Sequence, residues 1–166
     1  MKKTGIFYGS SSGNTKGVAE KIAKALGIDR ADVHDVAKAK AGDLAGYELL
    51  LLGCSTWGLG DLQDDFADFV GELSKADLSG KKVGLFGCGD SSSYPDTFCN
   101  ALGTIYKAVC GKAEMIGNVS VEGYTYDDSE AVVEGHFVGL PLDEDNESKL
   151  TGKRIEDWLQ VIKAEM

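Results

Sequence analysis

Short apolar runs alternate along the chain with longer stretches in which apolar positions return every three or four residues. Gly5-Ile6-Phe7-Tyr8-Gly9 is one such run, and Val18, Ala19, Ile22, Ala23 and Leu26 follow at helical spacing. A strand, a tight turn and an amphipathic helix are therefore expected. Leu49-Leu50-Leu51-Leu52, inside residues 48–53, is continuously apolar, as in a strand covered on both faces. Leu62, Phe66, Phe69, Val70 and Leu73 predict a second helix, and residues 81–88, with Val83, Leu85 and Phe86, a further strand. Phe98, Leu102, Ile105, Tyr106 and Val109 predict a third helix. Met115-Ile116 and Phe137-Val138 read as strand pieces flanking an acidic, glycine-rich stretch. Leu150, Ile155, Trp158, Leu159 and Ile162 close the chain as a helix, and residues 31–36 form a weaker strand. Repeated strand–helix units predict an α/β fold, a doubly wound parallel sheet with helices on both faces. No repeat or linker interrupts the pattern, so residues 1–166 are expected to form one domain.

Composition narrows the classes of function. With 43% hydrophobic residues the chain has enough apolar surface to bury a core rather than stay disordered. Lys plus Arg number 17 against 27 Asp plus Glu, a formal charge of −10. Such a surface disfavours nucleic acid and anionic membranes and suits basic-faced protein partners. The four cysteines (Cys54, Cys88, Cys99, Cys110) show no C-x-x-C or zinc spacing and are expected as buried thiols in a reducing compartment. Met1-Lys2-Lys3 leads into no apolar signal core, and no segment has the length of a membrane span. A cytoplasmic location is expected.

In open parallel sheets the ligand lies beyond the carboxyl ends of the strands. Three loops fall there. The first, Ser10-Ser11-Ser12-Gly13-Asn14-Thr15, joins a strand to a helix whose unpaired N–H groups favour an anion. It holds no Arg or Lys, which suits a phosphomonoester of a resident cofactor better than a triphosphate. A Walker A loop is excluded, because Asn14 stands where that motif needs Lys, and no G-x-G-x-x-G pattern is present. A polar loop that merely caps a helix is the alternative. The second loop is Cys54-Ser55-Thr56-Trp57-Gly58-Leu59-Gly60-Asp61. The third is Cys88-Gly89-Asp90-Ser91-Ser92-Ser93-Tyr94-Pro95-Asp96. Each carries one aromatic. A lone loop Trp is ordinarily a partly buried core residue, but two aromatics beside a phosphate site can bracket a flat ring.

These three loops, together with Gly139-Leu140-Pro141-Leu142-Asp143-Glu144-Asp145-Asn146, resemble the flavodoxin family, and within it the long-chain subfamily, over essentially the whole chain. Flavodoxins are themselves a standard illustration of the carboxyl-end rule. The resemblance implies a single-domain flavodoxin-like fold, a five-stranded parallel sheet of order 2-1-3-4-5, with an insertion at residues 123–140 splitting the last strand. It implies non-covalently bound FMN and a low-potential one-electron carrier, not an enzyme. Ser10, Ser11, Ser12, Gly13, Asn14 and Thr15 would hold the phosphate. Trp57 and Tyr94 would stack on the isoalloxazine, and Ser55, Thr56, Cys88 and Asp96, on the loops covering its two faces, would also bind the cofactor. Gly58, Gly89 and Asp90 would offer backbone groups to the ring edge, and Asp145 would reach the ribityl chain. Gly58 would turn its carbonyl toward N5–H once the first electron and proton arrive. Two positions depart from relatives: Gly58 is Asn in some, and Ser11 replaces a longer side chain.

The resemblance also implies a monomer that docks on basic-faced redox proteins, such as a flavodoxin/ferredoxin reductase and a low-potential oxidoreductase. Acids at Asp64, Asp65, Asp68, Asp127, Asp128, Asp143, Glu144 and Glu147 would form the docking surface. Two rivals share the topology. An FMN-dependent quinone or nicotinamide reductase would need open space where Trp57 and Tyr94 are expected. A signalling receiver would need an acceptor Asp where Gly53-Cys54 ends the third strand.

Overall fold

The computed structural model describes residues 3–11, 13–57 and 59–166. In chain order the elements are β1 (Thr4–Gly9), α1 (Asn14–Leu26), β2 (Val33–Asp35), β3 (Leu49–Cys54), β4 (Thr56–Trp57), β5 (Asp61–Leu62), α2 (Asp64–Lys75) and β6 (Lys82–Cys88). There follow α3 (Asn100–Val109), β7 (Glu114–Ile116), β8 (Val119–Ser120), β9 (Val132–Val133), β10 (His136–Phe137), β11 (Leu140–Leu142) and α4 (Ser148–Glu165).

The main sheet is parallel, in the spatial order β2-β1-β3-β6, and its last position is shared by two short segments. Near its start β6 pairs with β7, from Lys82↔Glu114 to Gly84↔Ile116. Near its end it pairs with β11, from Leu140↔Phe86 to Leu142↔Cys88. Counting these halves as one strand gives the expected order 2-1-3-4-5. The apolar strands serve both faces by strict alternation. Phe7, Leu50, Leu52, Val83 and Leu85 pack under Phe66, Phe69 and Leu73 of α2 and Leu102, Ile105 and Val109 of α3. Ile6, Leu49, Leu51 and Phe86 pack under Val18 and Ile22 of α1 and Ile155, Trp158 and Ile162 of α4.

One boundary is corrected: the excursion runs over residues 117–139 rather than beginning at Gly123. Of the expected strand piece Phe137-Val138, Phe137 lies in a strand, and His136–Phe137 is the middle strand of a small antiparallel sheet, β8-β10-β9. Phe137 is buried because it packs with Phe98, Tyr124 and Tyr126, with ring centroids 5.0–6.2 Å apart. An apolar pair alone does not say which sheet receives it. Two helices also start later than their stripes suggest. Leu62 lies in β5, because Gln63 caps α2, and Phe98 precedes α3.

Candidate functional site

The phosphate-loop candidate is built by a helix start. Gly13 adopts φ 96°, a left-handed conformation suited to glycine, and places Asn14 at the first turn of α1. Its N–H donates to Ser10 Oγ at 3.1 Å. Thr15 is fully buried beside the Cys88 thiol, a weak acceptor, and among the described residues its hydroxyl has no oxygen or nitrogen hydrogen-bond partner. A buried hydroxyl without such a partner costs about 1–3 kcal/mol, so this one is suited to a ligand atom brought to the helix start. Ser12 lies outside the described residues.

The second and third loops converge on the same place. Asn14, Ser55, Thr56, Trp57, Cys88, Gly89, Asp90, Tyr94 and Asp145 line one open cavity of about 180 Å³. Larger hollows of about 410 and 540 Å³ lie elsewhere and bring none of the candidate residues together. Donors and rings, rather than volume, single out the smaller one. Trp57 and Tyr94 are 43% and 39% exposed, and both edge this cavity. Two large rings left half-exposed at one cavity are the kind of surface that marks a ligand groove. Gly89 has no room for a side chain, since a Cβ there would press on Cys99 and Phe98. The loop therefore brings bare backbone to the cavity.

Several candidate side chains are committed within the protein. Ser55 Oγ accepts the indole N–H of Trp57 at 2.9 Å, and Thr56 Oγ1 accepts the Ala101 N–H at the start of α3 at 3.0 Å. Asp90 Oδ1 accepts the N–H groups of Ser92 and Ser93 and the Asn146 amide. Burial opposes ionisation of Asp90, but these donors outweigh it and hold the carboxyl below its ordinary value. At Asp145 burial, and then the neighbouring charges of Asp90, Asp143 and Glu144, raise the pKa. Asp96 sits in the 3-10 turn Pro95–Thr97, exposed and away from the cavity wall. The turn past Trp57 closes with the Gly60 N–H on the Trp57 carbonyl at 3.2 Å. Gly58 itself lies outside the described residues.

Asp143 corrects the expected docking surface. It is fully buried, and its carboxylate accepts from the Ser91 N–H and hydroxyl and from the Asn146 N–H and amide. It holds the third loop in shape instead of facing a partner. Asp64, Asp68, Asp127 and Asp128 are exposed, whereas Asp65 is half-buried and Glu147 pairs with Arg154 at 3.2 Å. The cysteine expectation also divides: Cys54, Cys88 and Cys99 are buried and Cys110 is exposed. Burial pushes the thiols of Cys54 and Cys88 up to about 12.

Three residues were missed. Gln63 is 1% exposed and joins the first loop to α2. Its signal was a polar residue directly ahead of an acidic first turn, a helix-capping position. Asn146 bridges Asp90 and Asp143, and Asn100 holds the excursion by accepting the Glu130 N–H at 2.8 Å. The remote partners, Asp90 for Asn146 and Glu130 for Asn100, leave no local sequence signal.

A doubly wound sheet with hydroxyl-rich, glycine-bearing and aromatic loops meeting at its carboxyl end defines an α/β protein of the open, doubly wound class with a candidate ligand cleft at its switch point. The family model described as Flavodoxin matches residues 6–158. "Flavodoxin 1" of Salmonella typhimurium is 46% identical over 168 residues, covering 100% of this chain and 96% of that protein. A flavodoxin of Nostoc sp. is 42% identical over 165 residues, covering 99% and 97%. The crystal structure of Fusobacterium nucleatum flavodoxin bound to flavin mononucleotide superposes with a TM-score of 0.92 at 32% identity, covering 100% and 99%. The chain belongs to the flavodoxin family.

Proposed function

We propose that this chain is a one-electron carrier that binds FMN in the cavity between Trp57 and Tyr94. The observation that carries this reading is the meeting of the three loops, with the Thr15 hydroxyl, which has no oxygen or nitrogen partner among the described residues, at the start of α1. The donor set fits the group. Residues 10–15 offer hydroxyls, one amide and helix N–H groups, which suit a terminal phosphate. Two half-exposed aromatics suit a flat ring with one edge open to a partner. FMN supplies the redox chemistry, and the protein binds, orients and tunes it.

Ser10 to Thr15 hold the phosphate, Trp57 and Tyr94 cover the ring, and Gly58, Gly89 and Asp90 face its polar edge. Ser55 and Thr56 shape the wall from behind. Asp145 faces the ribityl chain, and Asp96 acts only as a nearby charge. The excursion at residues 117–139 supports assignment to the long-chain subfamily. A low potential follows mainly from the slot, because burying an anion costs several kcal/mol. A carboxylate about 10 Å away through water contributes roughly 0.4 kcal/mol, on the order of 20 mV for one electron.

Partners are redox proteins with basic faces, a flavodoxin/ferredoxin reductase and a low-potential oxidoreductase, steered by Asp64, Asp68, Asp127 and Asp128. The carrier acts as a monomer in the cytoplasm. Among the described residues no helix is long and apolar enough to cross a membrane. Titration of the apoprotein with FMN and FAD tests the reading. One FMN per chain with much weaker FAD supports it, and equal affinity overturns it.

A further inference from the structure

Gln63 fixes more than a helix start. Its Oε1 accepts the Phe66 N–H at 3.0 Å, and its Nε2 donates to Asp65 Oδ2 at 2.9 Å and to Ser11 Oγ at 3.0 Å. A backbone N–H only donates and a carboxylate only accepts, so these partners leave one orientation for the amide. Both amide hydrogens are thereby used, one on Asp65 and one on Ser11. The Ser11 oxygen must then accept, and its single O–H is left to point away from Gln63. Among the described residues this is the only side-chain hydrogen bond from residues 10–15 to another element. The contact is tight enough to constrain a third position, since a Cβ on Gly9 would collide with Gln63 Oε1.

We propose that Gln63 is a positioning residue for phosphate recognition: through Asp65 and Phe66 it locks the Ser11 hydroxyl as an outward hydrogen-bond donor. The inference rests on the reading of residues 10–15 as a phosphate loop. The loop carries no cation, so an anion there needs every hydroxyl presented hydrogen-first. An oxygen presented by its lone pairs repels the anion instead. The series from the Phe66 N–H through the Gln63 amide to Ser11 runs from donor to acceptor at each step, which strengthens the last bond in the series.

A carboxylate in place of this amide reverses the polarity. Gln63→Glu keeps an acceptor for the Phe66 N–H, but its second oxygen takes the Ser11 proton inward. The experiment is a double-substitution cycle, Gln63→Glu with Ser11→Ala, in which apoprotein affinity for FMN and for riboflavin is measured by flavin fluorescence. Ser11→Ala should reduce the preference for FMN over riboflavin about fivefold to tenfold, and Gln63→Glu should reduce it at least as much. In the Ser11→Ala background, Gln63→Glu should change the preference less than about twofold, because the hydroxyl it would turn is gone. An equal further loss there would mean plain charge repulsion and overturn the proposal. Parallel losses for FMN and riboflavin, with a lower melting temperature, would mean a structural role only and also overturn it. Gln63→Met, uncharged and of similar length, provides the check if the carboxylate variant folds poorly. It should lose part of the FMN preference while riboflavin binding holds, and an unchanged preference overturns the proposal. If the unmodified protein binds FMN and riboflavin equally, the phosphate-loop reading fails first and this inference with it. An intact preference with no coupling sinks this inference alone.

Discussion

The indole N–H of Trp57 donates to the hydroxyl of Ser55 at 2.9 Å, two residues back along the same loop. That bond closes across Thr56 and ties a half-exposed ring to its own loop. The cavity thus has a wall whose orientation is set before any ligand arrives, which reduces the ordering cost of binding.

Replacing either aromatic should ease formation of the fully reduced flavin. Trp57→Ala and Tyr94→Ala each admit water to one ring face and remove an electron-rich wall. FMN affinity should fall in both, and the second one-electron potential should rise by several tens of millivolts, a tenfold change in the equilibrium being about 59 mV. Potentiometric titration reads this directly. Unchanged potentials in both variants would show that neither ring borders the flavin.

Thr15→Val should separate phosphate from ring recognition. The substitution keeps the shape and deletes a buried hydroxyl that has no oxygen or nitrogen partner among the described residues. The apoprotein should therefore be unchanged or more stable in thermal melts, while FMN binding weakens by about 1–3 kcal/mol. Riboflavin, lacking the phosphate, should bind as before. Equal weakening of both ligands would move Thr15 away from the phosphate.

Thiol reactivity should divide the cysteines into one and three. Cys110 is exposed, while Cys54, Cys88 and Cys99 are buried with thiols pushed up by desolvation. Only thiolates react with disulfide reagents. At a mildly alkaline pH a chromogenic disulfide should titrate one group quickly in the native protein and three more on unfolding. Fast reaction of a second thiol would contradict the closed packing around Gly89 and Cys99.

Asp145 supplies a pH dependence with a definite sign. Its folded-state pKa is raised above the ordinary 3.8, first by burial and then by Asp90, Asp143 and Glu144. In the window between the two values the folded state binds more protons than the unfolded one. Stability therefore falls as pH rises through it. Asp145→Asn should melt at a higher temperature than the parent apoprotein at neutral pH, and the gain should vanish below about pH 3.8. A gain that persists unchanged below that pH would assign the effect to something other than this charge.

The sheet was legible because its strands are nearly pure apolar runs and its helices carry clean stripes. Leu49 to Leu52 admit only a strand buried on both faces, and the α1 stripe fixes one helix face. The loops Ser10 to Thr15, Trp57 and Tyr94 were legible because special chemistry clusters in short segments. What escaped was contact between remote segments. Asp143 looks like any other acid in an acidic tail until Ser91 is brought to it, and Phe137 does not reveal which sheet receives it until Phe98 and Tyr124 close on it. Ser55 and Thr56 line the cavity, but that their hydroxyls also accept from Trp57 and from Ala101 of α3 is not written in the sequence.

The division of the last strand between β7 and β11 also bears on how the chain avoids sticking to itself. β6 carries Val83, Leu85, Phe86 and Cys88, and an uncovered edge of such a strand is a template for pairing with another molecule. Its outer edge is sealed by two separate patches, each only three residues long. Loss of one patch leaves the other in place, so local opening exposes half an edge rather than a full one. Proline stands in the middle of the outer patch, at Pro141, where its missing N–H removes one donor from the rim itself. The excursion and its return thus act as a guard against aggregation, in a chain whose central strands would otherwise be well suited to it.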